Sequence, residues 1–330
     1  MMETWSGRSV LITGGNGFLG SWVTRALVDA GASVTCLLKE ELPLSPFNVD
    51  GTVQRVTCVS GALEDYSTVE RVIEEFRIDT CFHLAAQPIV TAARLEPLKT
   101  FETNIRGTWH VLEAARRSGR VETLVVASSD KVYGDSDKLP YTEQDPLRGG
   151  DPYDVSKACA DMLAQSYSRT YGFPIGIARC GNFYGPGDLQ WSRIVPGTIR
   201  SLACGERPVV RSDGTFLRDY LYVEDAVDAF LTLAGQLHRP EVRGQAFNFG
   251  TEKPTTVLDV VEHLTRLSGK TNLPPVILNT ARGEIPAQYL SCAKARALLG
   301  WTHRTGLSDG LAKTYEWYER FLSQNQLGDQ

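Results

Sequence analysis

At 330 residues, with about 150 per domain, the chain is long enough for two domains and a sizeable buried core. Hydrophobic residues make up 42% and charged residues 22%, a globular mixture that excludes disordered, collagen-like and disulfide-scaffold classes. Its 34 Lys and Arg against 39 Asp and Glu leave a net charge of -5, so no overall field favours nucleic acid or an anionic membrane.

Ser9 to Thr13 reads as a first strand. After a glycine-rich turn, Phe18, Leu19, Trp22, Val23, Ala26, Leu27 and Ala30 recur at helical spacing, and Gly31 stands where a left-handed cap ends the helix. The expected order continues with strands at 33–38 and 53–59, a helix at 67–76, a strand at 80–84, a long helix near 97–117 and a strand at 121–128. Strands alternating with helices predict a doubly wound, parallel α/β sheet. Beyond residue 180 the rhythm breaks into Gly- and Pro-rich loops, short helices and isolated strands. The reading is a dinucleotide-binding domain over 1–180, to which 242–250 returns, and a smaller, interleaved lobe over 181–330. The polar end from about Ser323 reads as frayed. Seven scattered cysteines without a C-x-x-C pair suggest neither a disulfide framework nor a zinc ribbon. Reduced thiols in a cytoplasm are the expectation, since neither a spanning segment nor a secretory leader pattern is seen.

Between the first strand and helix, Gly14, Gly17 and Gly20 form G-x-x-G-x-x-G. Glycines there let backbone amides approach a pyrophosphate at the positive end of the helix, which predicts a dinucleotide site. At the end of the second strand, Glu40 suits the ribose hydroxyls of NAD, while Lys39 leaves NADP open.

Tyr153 and Lys157, four apart behind Pro152, share one helix face, and Ser128 and Ser129 end a strand. A phenol becomes a base near neutrality when a neighbouring ammonium, here Lys157, lowers its pKa. Ser129 is then placed to hold a substrate alcohol while Tyr153 removes its proton and hydride passes to a nicotinamide.

TGGNGFLG at 13–20, the strand-end serine and Y-x-x-x-K resemble the extended short-chain dehydrogenases/reductases. So do FHLAAQ at 82–87, TNIRGT at 103–108, RCGNFYGPG at 179–187, RDYLYVED at 218–225 and the last helix near 310–318. The resemblance implies a Rossmann fold, a homodimer, and cofactor contacts from Gly14, Asn16, Gly17, Phe18, Gly20, Glu40, Leu84, Ala85, Ala86, Asn104, Tyr153 and Lys157. One departure is Gly61-Ala62, where the family commonly carries Gly-Asp with its carboxylate on the adenine amine.

Family members acting on nucleotide sugars include epimerases and 4,6-dehydratases, and the two differ in the residues after the serine. Here Asp130 and Lys131 add an acid and a base. Once C4 is a ketone, dehydration needs a base for the C5 proton and an acid for the departing C6 hydroxyl, roles assigned to Lys131 and Asp130 respectively. Both need shifted pKa values, and Asp130 needs a turn after the strand to face the same way as its neighbours. The Asp-Lys pair and stretches at 188–196 and 284–290 resemble the branch of the family that acts on CDP-glucose. A 4-epimerase is the alternative within the family, and a non-catalytic dinucleotide sensor the alternative outside it. For a nucleotide diphosphate hexose, Asn182, Arg193, Arg211, Arg218 and Arg282 are the candidate ligands, guanidinium matching phosphate oxygens. The five histidines lack ligand spacing, so no metal is expected, and His83 reads as a core or cofactor-loop residue.

Overall fold

The computed structural model describes residues 5–325. Seven strands form one parallel sheet: β1 (Ser9–Thr13), β2 (Ser33–Leu38), β3 (Thr57–Ser60), β4 (Thr80–His83), β5 (Thr123–Ala127), β6 (Ile175–Cys180) and β7 (Ala246–Phe249). Their spatial order is β7-β6-β5-β4-β1-β2-β3. The sequence direction reverses beside β1, which opens a crevice at the carboxyl ends of β1 and β4.

The inner strands are apolar on both faces because helices cover both. On one side Val10, Ile12, Phe82 and Val125 pack with Val23 and Leu27 of α1 (Phe18–Asp29) and with Phe230 and Leu233. On the other, Leu11, Cys81, Leu124 and Val126 meet Val69, Val72 and Ile73 of α2 (Tyr66–Glu75) and Val111 and Leu112 of α3 (Gly107–Ser118). Gly31 takes the expected left-handed conformation, φ 88°.

Three boundaries differ from the sequence reading. Residues 53–56 are not strand: Thr52–Arg55 forms a 3-10 turn after left-handed Gly51, and β3 begins at Thr57. Val53 and Val56, three apart, pack into the core from that turn, a spacing that suits a turn rather than an alternating strand. The long helix near 97–117 is broken into Pro97–Phe101, a wide π turn over Glu102–Arg106, and α3. The C-terminal helix holds from Leu307 through Asn325, so Ser323 is helical rather than frayed, and the remainder of the polar end lies outside the described residues.

Another long helix on the sheet is α4 (Pro152–Tyr171). After β6 a short strand, Asn182–Tyr184, pairs with Tyr220–Tyr222, and helices 194–203, 257–267 and 307–325 gather around Ile199, Leu202, Val260, Leu264, Leu311 and Tyr318 as a separate core. The chain then returns: Phe247 of β7 pairs with Ala178 of β6 in parallel register. Among the described residues no helix is long and apolar enough to cross a membrane, and no group of His, Cys, Asp and Glu has metal-holding geometry.

Candidate active site

A cleft of about 1080 Å³ runs from the glycine turn to the lobe. At one end it is built from backbone. Gly14 has φ 72°, and a Cβ there would lie 2.9 Å from Ala85 Cα; a Cβ on Gly20 would lie 2.0 Å from the Gly14 carbonyl oxygen. Gly14 is therefore required for the turn to close on the loop after β4, and Gly20 for α1 to start against the turn. Gly17 is the N-cap of α1, no side chain caps that helix, and no acidic residue stands in its first turn. The first N–H groups of α1 are left for an anion. Asn16 donates to the Glu40 carbonyl oxygen at 2.7 Å, which pins residue 40 over the turn. Gly14, Asn16, Gly17, Phe18, Gly20, Glu40, Leu84, Ala85 and Ala86 all line the cleft, as do Tyr153 and Lys157.

Asn104 does not line it. Buried in the π turn, its amide donates to the Gln87 carbonyl (3.1 Å) and the Ser156 hydroxyl (2.9 Å) and accepts from the Gln87 N–H (2.7 Å). It fixes the loop after β4 from behind. His83 does similar work: its Nδ1 meets Thr13 Oγ1 at 2.9 Å and its Nε2 meets Thr108 Oγ1 at 3.0 Å. Thr13 Oγ1 accepts from the Leu84 and Ala85 N–H groups, and the Thr108 hydroxyl donates to Asn104 O. This network assigns a neutral imidazole with the proton on Nε2. Burial, helped by the nearby Lys157 charge, pushes the His83 pKa down to about 3.

At the other end the site is made of side chains. The turn that Asp130 needs is present: Ser129 caps a 3-10 turn over Asp130–Tyr133, its Oγ accepting from the Lys131 N–H at 3.2 Å. Ser129, Asp130, Lys131, Tyr153 and Lys157 thereby face one cavity. Asp130 is 2% exposed; its Oδ1 accepts from Ser129 Oγ at 3.1 Å and its Oδ2 is buried without a protein partner. Burial raises its pKa, against the pull of Lys131 and the Ser129 hydroxyl. Lys131 Nζ donates to Gln288 Oε1 at 2.9 Å.

Tyr153 departs from the sequence expectation. Its phenol is pushed up to about 12, by burial first and then by the charge of Asp130, while the Ser129 hydroxyl opposes the rise. Lys157 does not supply the expected lowering: its amine donates to the Ala127 carbonyl, and burial pulls its own pKa down to about 8. In the protein alone, desolvation is the largest influence on the Tyr153 phenol.

Asn182, Arg193, Arg211 and Arg218 line the lobe side. Arg193 pairs with Asp188 at 3.0 Å, Arg211 donates to the Ser192 carbonyl, and buried Arg218 donates to the Leu217 and Pro286 carbonyls. Arg282 is a correction: it does not line the cleft, and its guanidinium turns back on the Asn279 and Ala281 carbonyls. The same backbone meets Arg94, absent from the sequence reading. It grips Asp151 through two bonds (2.8 and 2.7 Å) and the carbonyls of Arg282 and Gly283, fixing that backbone while the Arg282 side chain points away. Sequence reasoning also missed Gln288, Asp154 and Glu64. Gln288 lies in the 284–290 stretch and Asp154 adjoins Tyr153, so both had a local signal; Glu64 had none.

Residues 10–250 match the model of the NAD dependent epimerase/dehydratase family. The chain belongs to that family. Among curated relatives, CDP-glucose 4,6-dehydratase of Salmonella typhimurium is 30% identical across 96% of this chain and 92% of its own length. The dTDP-D-glucose 4,6-dehydratase of Bos taurus is 30% identical across 94% of this chain and 88% of its own. Among solved structures, dTDP-glucose 4,6-dehydratase of Bacillus anthracis in complex with NAD superposes with a TM-score of 0.83 at 26% identity, covering 95% of this chain and 97% of that one. UDP-glucose 4-epimerase of Thermotoga maritima, with UDP-glucose, has a TM-score of 0.86 at 29% identity, covering 95% and 99%. The family's cofactor is NAD, and the open amides of α1 and the backbone-lined turn fit its pyrophosphate.

Proposed function

We propose that the chain is a nucleotide-sugar 4,6-dehydratase acting on CDP-glucose, with NAD held by the glycine turn, Glu40 and the Leu84–Ala86 loop. The observation that supports this reading is the turn after β5, through which a buried carboxyl with one oxygen unpartnered and a lysine both join the cleft that Tyr153 lines. An epimerase needs no acid and base beyond the tyrosine. When bound, the nicotinamide supplies the acceptor of the C4 hydride and its later donor to C6.

The side chains move the protons. Ser129 orients the C4 hydroxyl, and Tyr153 takes its proton; the cofactor's positive ring and Lys157 must offset the burial that raises the phenol. The C4 carbonyl acidifies the C5 hydrogen, which the Lys131 amine removes while Gln288 Oε1 keeps that amine in place. Asp130, kept protonated by burial, gives its proton to the C6 hydroxyl, which departs as water. Asn182, Arg193, Arg211 and Arg218 bind the diphosphate and sugar.

Residues 1–180 with 242–250 serve as the dinucleotide-binding unit and 181–330 mainly as the substrate lobe. Leu98 and Trp109 within 97–118, Met162 within 152–171 and Leu95 just before them are exposed, which supports a homodimer paired through those helices. Seven free cysteines support a reducing, cytoplasmic setting.

The test is incubation with CDP-glucose in deuterium oxide. The parent should yield a 4-keto-6-deoxy sugar carrying deuterium at C5; Lys131→Ala should lose exchange at C5, and Asp130→Asn should keep exchange but lose water at least about 100-fold more slowly. Inversion at C4 with the C6 oxygen retained would establish the epimerase instead.

A further inference from the structure

Residues 281–286 form an irregular strap between the short strands Val276–Ile277 and Ala287–Gln288. Gly283, Glu284 and Ile285 of the strap line the cleft, as do Arg94 and Asp151 on the opposite side. The strap is tied to its own lobe: the Arg211 carbonyl accepts from the Thr280 and Ala281 N–H groups at 2.7 and 3.0 Å, and Arg218 meets Glu284 at 3.9 Å and the Pro286 carbonyl at 3.3 Å. Among the described residues, its hydrogen bonds to residues 1–180 all come from Arg94.

That arginine is engaged on both sides. Its Nε and Nη2 hold the two oxygens of Asp151, while Nη1 and Nη2 reach the Arg282 and Gly283 carbonyls at 3.0 and 3.1 Å. Asp151 is the N-cap of α4, yet its side chain makes no cap bond. A carboxylate in that place ordinarily accepts from the helix's own N–H groups; here both oxygens go to Arg94. Gly283 stands at φ 65°, and a Cβ there would lie 3.2 Å from Arg94 Nη2. Two residues beyond Asp151 comes Tyr153, and the strap runs on into Gln288, which holds Lys131. One guanidinium thus joins the start of the tyrosine's helix to the segment that seats the lysine.

We propose that Arg94 is a positioning residue that latches the strap across the reacting end and so retains the sugar between water loss and hydride return. This inference rests on the dehydratase reading. Removal of the C5 proton and the C6 hydroxyl leaves a 4-keto sugar with a double bond between C5 and C6. It becomes product by gaining a hydride at C6 and a proton at C5, which requires that it stay bound. A closed cleft prevents its escape. A sugar that leaves early takes no hydride, so the site is left with reduced nicotinamide and stops.

The test gives excess CDP-glucose to the full chain loaded with NAD. It follows 4-keto-6-deoxy sugar, the near-ultraviolet absorbance of reduced nicotinamide, and unsaturated sugar in the filtrate by mass. Arg94→Ala should strand reduced nicotinamide at least about tenfold more often per product formed than the parent, with unsaturated sugar released in equal amount. Arg94→Lys, a point charge in place of a fork, should leak at least about threefold more than the parent. Arg282→Ala, on the same strap but outside the cleft lining, should match the parent. A folded Arg94→Ala that makes product without stranding, or that never reduces nicotinamide, would overturn the latch; if that variant does not fold, Arg94→Lys decides by the same measure. An equal leak from Arg282→Ala would assign the effect to the strap at large and also overturn it. A parent that makes no 4-keto-6-deoxy sugar would instead sink the dehydratase reading, and the latch with it.

Discussion

The two ends of the cleft are built from different materials. The glycine-turn end relies on backbone: open amides of α1 and two glycines whose missing Cβ atoms let loops touch. The reacting end relies on side chains taken out of water, and burial dominates the pKa shifts of Asp130, Tyr153 and Lys157. A backbone site is specified by where glycines fall and works with little electrostatic tuning. A side-chain site depends on which groups are desolvated together, which no spacing reveals. Substitutions should therefore cost far more chemistry at the reacting end, and more structure at the turn.

The largest effect is expected from Tyr153→Phe, which removes the group proposed to take the C4 proton while keeping the ring. Turnover should fall about a thousandfold, with NAD affinity by calorimetry changed less than about threefold. A comparable collapse of NAD affinity would show that the two ends are not separable.

Stability should respond in the opposite region. The imidazole of His83 titrates near 6.5 when unfolded and near 3 when folded. The unfolded chain thus binds more protons between those values, and stability is lost as pH falls through that window. From pH 6.5 to 4 the loss attributable to His83 is about 3 kcal/mol. Denaturant unfolding at both pH values should show it in the parent and not in His83→Gln. An equal acid loss in both proteins would remove His83 from the acid response of the turn.

The smallest contrast lies between two arginines that look alike in sequence. Arg218→Lys should raise KM for the nucleotide sugar about tenfold, whereas Arg282→Ala should change it less than twofold. Equal effects would mean that the loop held by Arg94 rearranges to bring Arg282 inward.

Much of the fold was legible because parallel strands buried on both faces read as apolar runs, as at Val10 to Ile12 and Leu124 to Val126. Residues 53–56 misled because a turn and an edge strand both carry scattered valines. The convergence of the proposed catalytic residues on one cleft was legible through spacing, Tyr153 to Lys157, and through adjacency, Ser129 to Lys131. The direction of the Tyr153 shift was not, since it follows first from burial, which spacing along the chain does not show. The surroundings of Arg282 were not legible either: its backbone is held by Arg94, 188 residues earlier, and its guanidinium bonds the nearby Asn279 and Ala281 carbonyls. Gln288 reaches Lys131 only because distant strands are brought together.

The return of β7 to the flank of β6 bears on how such a protein can be cut or recombined. A fragment stopped at residue 180 would leave the backbone donors and acceptors along one side of Ile177 to Cys180 bare, an invitation to self-association. A graft carrying 181–330 would take with it the outermost strand that shields its neighbour. Exchanging lobes between relatives should therefore succeed only when the crossover points also spare residues 246–249, so that the host keeps its own border.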